Sequence, residues 1–219
     1  MDGSGLLSGV MLAGAAVASV VYWLSYCYRP ASFWKSVFKT SAVVLLAGVS
    51  VVSLGPVLVT AALLSCAVGD YLLSRDSEQA FLGGVGAFAL GHLLYIIAIM
   101  GHGQSDLARA FDGTTVWVLI GLGLIMAGVL YRRAGDLRYA VLAYVPMVAG
   151  LGIAGLTMPF VDPVWLVVIG GLLFVFSDFV LALEMFVLRV GTLVRVVTSL
   201  TIWATYWMAQ TMLLTGLVL

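Results

Sequence analysis

Two aspartates stand where a charge is expensive. Asp70 lies in Val68-Gly69-Asp70-Tyr71-Leu72-Leu73 and Asp178 in Phe176-Ser177-Asp178-Phe179-Val180-Leu181, each inside a run apolar enough to cross a bilayer. A charge at the centre of a spanning helix costs at least about 2.5–3.5 kcal/mol, so such a residue faces a polar interior and by default marks a functional site. Two of them, far apart in sequence, point to one shared site. Two neighbouring carboxylates resist ionising together, which makes an acid and a base out of identical side chains; the same pair could also bind an ion.

Other residues could join that site. Gly84, Phe88, His92 and Tyr95 recur at steps of 4, 4 and 3 and share one helix face. His92 either lines the site or makes a plain interhelical bond. Tyr206 and Gln210 stand four apart with Thr205 and Trp207 beside them. They fall mid-span, away from the membrane interface, and read as site-lining. Lys39, on the cytoplasmic side of the second span, is either a topology marker or a phosphate contact. Glu184 is six residues past Asp178, about 240° round the helix, so it is expected to point elsewhere and to be solvated or paired with a basic residue. Gly83, Gly84, Gly86 and Gly91 suit close helix packing; a dinucleotide loop needs a preceding strand, and none is expected. Cys27 and Cys66 offer neither a metal-site spacing nor a disulfide framework and read as packing residues.

The elements that must hold these residues are membrane helices. The chain is 63% hydrophobic and 9% charged, with a mean hydropathy of +1.17, against about 25% charged residues in a soluble domain. Strict alternation, the mark of an outer-membrane barrel, is absent. Net charge is zero without a basic run, so nucleic acid is not an expected partner. The N-terminus carries Asp2 instead of a basic region, and its apolar run continues to Tyr26, which predicts a first membrane helix and not a cleaved signal. Eight spans are expected, at 5–26, 37–54, 56–74, 80–100, 114–131, 139–157, 163–188 and 195–218, forming one transmembrane domain over 1–219. Gly55-Pro56 and Asp162-Pro163 mark turns at which proline restarts a helix at its first position. Only the connection 101–113 has any length.

Charge placement supports that count. Nine of the ten basic residues (Arg29, Lys35, Lys39, Arg75, Arg132, Arg133, Arg138, Arg189 and Arg195) flank the odd-numbered loops, and Arg109 alone flanks an even one. The positive-inside rule then places the odd loops in the cytoplasm and both termini outside. Asp70 and Asp178 each fall in the third helix of a four-helix half, 14 and 15 residues past Pro56 and Pro163. Halves of roughly 1–105 and 106–219 would be parallel repeats, related by an axis along the membrane normal. That axis puts both aspartates at one depth, roughly 21–23 Å from the outer boundary and so in the cytoplasmic half.

At these residues the sequence resembles the YhhN-like family of integral-membrane lysoplasmalogenases. The likeness rests on Gly69-Asp70 followed by Phe81, Gly84, Phe88, His92 and Tyr95; on Gly170 or Gly171, Phe174, Ser177-Asp178 and Ala182; and on Thr205-Tyr206-Trp207 with Gln210 and Gly216. Lys39 also fits, although Lys39-Thr40 stands where that family usually has Lys-Pro. The resemblance implies a hydrolase that cleaves the vinyl ether bond of a lysoplasmalogen, with an ethanolamine or choline headgroup, to a fatty aldehyde and a glycerophospho-alcohol. It implies Asp70 and Asp178 as the catalytic pair, with Lys39, His92, Tyr95, Ser177, Tyr206 and Gln210 lining the site or binding substrate. Its partners would be a lysophospholipid and the bilayer, without cofactor or metal. A phosphate is expected to meet Lys39, Arg75 or Arg195. Two other readings stand beside it: a proton- or cation-coupled transporter using Asp70, His92 and Asp178, and an intramembrane aspartyl protease. The protease would show a Tyr-Asp pair and a Pro-Ala-Leu segment, which this chain lacks. Short loops fit a bacterial inner membrane, with the endoplasmic reticulum the eukaryotic equivalent.

Overall fold

The structure, a computed structural model, describes residues 3–188 and 191–219, with the Thr192 side chain also left out. Asp2 and Arg189, used above, lie outside the described residues. Those described form helices and no strand. Eight helices are long: α1 (Gly3–Ser25), α2 (Phe33–Val52), α3 (Val57–Leu73), α4 (Glu78–Met100), α6 (Thr115–Arg133), α7 (Arg138–Leu156), α8 (Trp165–Phe186) and α9 (Thr192–Val218). A short α5 (Leu107–Phe111) interrupts the connection expected to be a plain loop. Asp106 begins it, its carboxylate accepting from the Ala108 N–H at 2.9 Å.

Six helices (α1, α2, α4, α6, α7 with its preceding turn, and α8) are long and apolar enough to cross a membrane. The apolar α3 has 17 residues, a rise of about 26 Å and the lower end of the spanning range. At 27 residues α9 is the longest. The outward faces match this: Val17, Leu124 and Ile125 are all more than 60% exposed, which suits hydrocarbon and not water. This is a helical membrane protein.

Caps move some predicted boundaries. Ser32 caps α2, its hydroxyl accepting from the Lys35 N–H at 3.2 Å. The helix therefore starts at Phe33 and not at 37, and Lys39 lies more than a turn inside it. Pro56 is the residue before α3, and Pro163 precedes α8 by two; both prolines stand ahead of the helix instead of at its first position.

Short connections make sequence neighbours pack antiparallel. Around the bundle α1 packs on α2, α2 on α3 and α3 on α4; α4 packs on α7, which also holds α6 and α8; α8 packs on α9, and α9 closes back onto α2. Exchanging α1–α4 for α6–α9 carries this pattern onto itself, with α4 on α7 answering α9 on α2. Glycines allow the two tightest pairs. A Cβ at Gly91 of α4 would stand 2.6 Å from the Cys66 sulfur of α3, and one at Gly170 of α8 would stand 3.1 Å from the Ala209 carbonyl oxygen of α9. Cys27 and Cys66 are both free and buried.

Candidate active site

Asp70 and Asp178 each lie thirteen residues beyond the first residue of their helices, Val57 and Trp165, so both sit about 20 Å from the end at which α3 and α8 begin. Both line one cavity of about 700 Å³ to which α1, α2, α3, α4, α6, α7, α8 and α9 all contribute. The predicted meeting of two aspartates from distant helices is therefore present in the fold.

The two carboxylates are held differently. Asp70 is buried. Its Oδ1 meets the Lys39 ammonium at 3.1 Å, and its Oδ2 accepts the Tyr206 hydroxyl at 2.7 Å. Behind that hydroxyl runs a chain of bonds pointing one way. Tyr95 donates to the Gln210 amide oxygen at 2.7 Å, and the Gln210 amide nitrogen donates to the Tyr206 oxygen at 3.1 Å. Successive bonds of one direction polarise each other, and every donor in this chain aims at Asp70. Its Oδ2 accepts the end of that chain and its Oδ1 lies against an ammonium, which suits a carboxylate.

Asp178 is paired with a histidine. Its Oδ2 accepts the Tyr144 hydroxyl at 2.8 Å and faces the His92 Nε2 at 3.1 Å. The other His92 nitrogen, Nδ1, stands 2.7 Å from the Phe88 carbonyl oxygen. A carbonyl can only accept, so Nδ1 carries a hydrogen. Nε2 is then left facing Oδ2 across the 3.1 Å contact, where a proton on either atom would bridge them. Asp178 thus faces an imidazole, whereas Asp70 faces an ammonium. Phe174 separates the two pairs, its ring 4.4 Å from that of His92 and 5.3 Å from that of Tyr206.

The sequence-selected residues meet here with distinct duties. Lys39, His92, Tyr95, Tyr206 and Gln210 all belong to the two networks. Lys39, offered as a topology marker or a phosphate contact, pairs with Asp70. Ser177 lines the cavity but gives its hydroxyl to the Ile202 carbonyl of α9 at 3.1 Å, which pins α8 to α9. Gly84 packs α4 on α3, where its Cβ would stand 2.7 Å from Leu73. Tyr144 was missed, although a tyrosine in mid-span is the same signal that picked out Tyr206. Glu184, expected to point away, lines the same cavity, because the cavity follows α8 from Ser177 to Phe186 and wraps its surface. Among the described residues no group of three His, Cys, Asp or Glu side chains could hold a metal ion.

Beyond the polar end the cavity is apolar. Leu119, Leu122, Met126 and Leu130 of α6 form one wall, faced by Val141, Val145 and Val148 of α7. From Leu130 to Leu119 this arm is about 17 Å long.

A helical membrane protein with one buried and one half-buried aspartate on a single, largely apolar cavity is thus defined. The chain belongs to the YhhN family, whose model matches residues 34–217. That match takes in both aspartates, Lys39, His92, Tyr144, Tyr206 and Gln210. Neither the comparison with curated proteins nor that with solved structures finds a match.

Proposed function

We propose that this protein is a membrane hydrolase that cleaves the vinyl ether bond of lysoplasmalogens by acid–base catalysis, with Asp178 as acid and Asp70 as base. The observation that carries the reading is the unlike environment of the two aspartates: Asp178 faces the His92 imidazole, while Asp70 lies between the Lys39 ammonium and the Tyr206 hydroxyl. A vinyl ether is stable to base and is cleaved once its β-carbon takes a proton. Asp178 transfers that proton, the double-bond electrons form the new C–H bond, and an oxocarbenium ion results, as at the transition state of glycoside hydrolysis. The Asp70 carboxylate stabilises the cation and takes a proton from the attacking water. The hemiacetal that forms gives its hydroxyl proton to the Asp178 carboxylate, its C–O bond to the glycerol breaks, and the departing oxygen takes the proton held by Asp70, which restores both aspartates. Aldehyde and alcohol leave, and one water is consumed. The residues themselves supply every group this route requires.

The apolar arm supports a lipid over an ion as the occupant, which favours the hydrolase over a coupled transporter. The apolar wall along α6 and α7 suits one extended chain. The membrane reading extends to eight crossings with both termini outside, a depth at which a lipid from the cytoplasmic leaflet presents its first bond below the headgroup.

The test is aldehyde release from a lysoplasmalogen by protein purified in detergent. Wild type is expected to release it. Asp70→Asn and Asp178→Asn, shown folded by thermal unfolding, are expected to lose about 10²–10⁴-fold in rate. In D2O the aldehyde should carry one deuterium on the carbon next to the carbonyl. A folded, lipid-supplied wild type that releases no aldehyde would remove the substrate, and aldehyde without deuterium would remove the mechanism.

A further inference from the structure

α1 and α6 each hang on the ring formed by the other six long helices, α1 on α2 and α6 on α7. They are counterparts under the exchange of halves, yet they are held in opposite ways. A Cβ at Gly14 of α1 would stand 3.3 Å from the Leu45 side chain of α2, and one at Gly48 of α2 would run into Met11 of α1. Hydrogen bonds also tie α1 to α9: the Trp23 indole donates to the Leu200 carbonyl at 3.0 Å, and the Trp203 indole to the Ser19 hydroxyl at 3.0 Å. The counterpart α6 enters none of the side-chain hydrogen bonds between helices found among the described residues. A Cβ at its Gly121 or Gly128 would meet open space. Gly121, Gly123 and Gly128 fall within eight residues, so the middle of α6 is its least rigid part.

The seam between α6 and α8 is open at one level. Nearer the starts of both helices, Leu119 and Val175 seat together on α7, where a Cβ at Gly152 would stand 3.0 Å from the first and 2.8 Å from the second. Toward the other end, Met126 and Leu130 of α6 join one apolar cluster with Phe179, Leu183 and Phe186 of α8. Between these closures lie Leu122 and Phe176. Both line the cavity, and both are also open to the outside, 38% and 47% exposed. α6 and α8 each pack antiparallel on α7 and so run the same way. Leu122 and Asp178 each stand three residues, about 4.5 Å, past the contact at Gly152. The opening is therefore level with Asp178 and next to Leu124 and Ile125, whose exposed side chains suit hydrocarbon.

We infer that this seam is the entrance through which a lipid chain passes sideways from the bilayer into the cavity, and that the middle of α6 is the wall that moves to admit it. The inference rests on the lipid reading of the cavity and adds the route and the moving part. Its occupant is an apolar chain, because the rim and the wall behind it are apolar and would strip a polar solute of its water. The closure toward Phe186 is apolar contact, so it parts and re-forms without leaving a polar group unpaired. α1, fastened on two sides, leaves the matching seam of the first half shut.

Lipid exchange separates this inference from the reaction. The full-length protein in detergent would be loaded with a tritiated saturated 1-alkyl lysophospholipid bearing phosphoethanolamine, which has no vinyl ether to cleave, and chased with unlabelled lipid. A Cβ at Gly123 would stand 3.7 Å from the Ala149 Cβ, a spacing that a disulfide bridges, so Gly123→Cys with Ala149→Cys tethers the middle of α6 to α7 on oxidation. The oxidised protein is expected to exchange lipid about tenfold or more slowly than the same protein reduced, and reductant should restore the rate. Dithiol and disulfide differ little in bulk, so the change reports the tether. A second variant needs no tether. Phe176→Cys, labelled after purification with a bulky maleimide, plugs the seam and should slow exchange likewise. The same label at Leu124→Cys, which is 70% exposed and does not line the cavity, should leave it unchanged. Exchange that ignores a complete cross-link, or that ignores the plug, would overturn the inference; aldehyde release alongside it would leave the hydrolase standing. Gated exchange without aldehyde release would keep the entrance and end the hydrolase. A wild type that binds no lysolipid would end both.

Discussion

At the scale of single residues, the decisive feature is that two identical side chains are given different partners. Asp70 and Lys39 form a buried ion pair, and such a pair is better understood by breaking it than by counting it. Removing one partner of a buried pair costs about 3–5 kcal/mol, because the other charge is left without compensation. Lys39→Met should therefore lower the thermal unfolding temperature in detergent markedly. The double variant Lys39→Met with Asp70→Asn should recover most of the loss, and both should be inactive. Equal unfolding temperatures for the single and double variants would show that the pair is not energetically coupled. On the proposed route His92 acts through Asp178, as a positioning residue. His92→Gln is expected to lower kcat about 10²-fold with KM little changed, since only the proton transfer is affected. A rise in KM with kcat intact would instead make His92 a contact for the lipid. The aspartates, His92, Tyr206 and Gln210 were legible in the sequence because each is a polar group in mid-span, where hydrocarbon permits none without a partner. The pairing itself was not legible. For Lys39 the sequence offers a topology marker or a phosphate contact, because its pairing with Asp70 of α3 depends on where α2 begins, and α2 starts at the Ser32 cap.

At the scale of elements, helix contacts decide which face of α8 matters. A helical wheel put Glu184 about 240° from Asp178 and off the site, which holds for a flat wall. Here α6 leans on α7 and touches α8 only lightly, so a cavity runs along α8 and takes in residues from more than one face. The same gap forms the apolar arm, and its length should set a preference for chain length. Leu119 closes its far end, and Gly123 stands one turn nearer the site. Space at Gly123 is open enough that an added Cβ would meet Ala149 only at 3.7 Å. Gly123→Phe should thus fold and shorten the arm. The expected outcome is a selective loss of long-chain substrates, read as kcat/KM against chain length, with shorter chains spared. A uniform loss at all lengths would place the chain elsewhere. The tightly packed pairs predict the opposite behaviour. At Gly91 a larger residue must drive α4 off α3, because a Cβ would lie 2.6 Å from the Cys66 sulfur. Gly91→Val should cost about 1–3 kcal/mol by overpacking and lower the unfolding temperature accordingly.

At the scale of the whole molecule, the open matter is which way the bundle sits in the membrane, since that decides which leaflet supplies the lipid. Eight long helices in antiparallel succession put the turns at Ser74–Ser77 and Ala134–Leu137 at one end and the segment Gly101–Gly113 at the other. The basic residues favour the first end as cytoplasmic, and Lys35, Arg75 and Glu184 lie at that end of the cavity. We propose that both termini face outward and that the lipid comes from the cytoplasmic leaflet. The chain suits a direct test, because its own cysteines are silent. Cys66 is fully buried, and the buried Cys27 thiol is pushed up to about 11, so little thiolate forms near neutral pH and alkylation is slow. Single cysteines at the exposed positions Gln104 and Asp136 should then report two different sides. In intact cells a membrane-impermeant maleimide is expected to label Gln104→Cys and to spare Asp136→Cys until the membrane is opened. The reverse pattern would invert the protein and route the lipid from the outer leaflet. Labelling of both from outside would be incompatible with an odd number of crossings between them. That outcome would overturn the eight-span topology itself and, with it, the shared depth of Asp70 and Asp178 in two parallel halves.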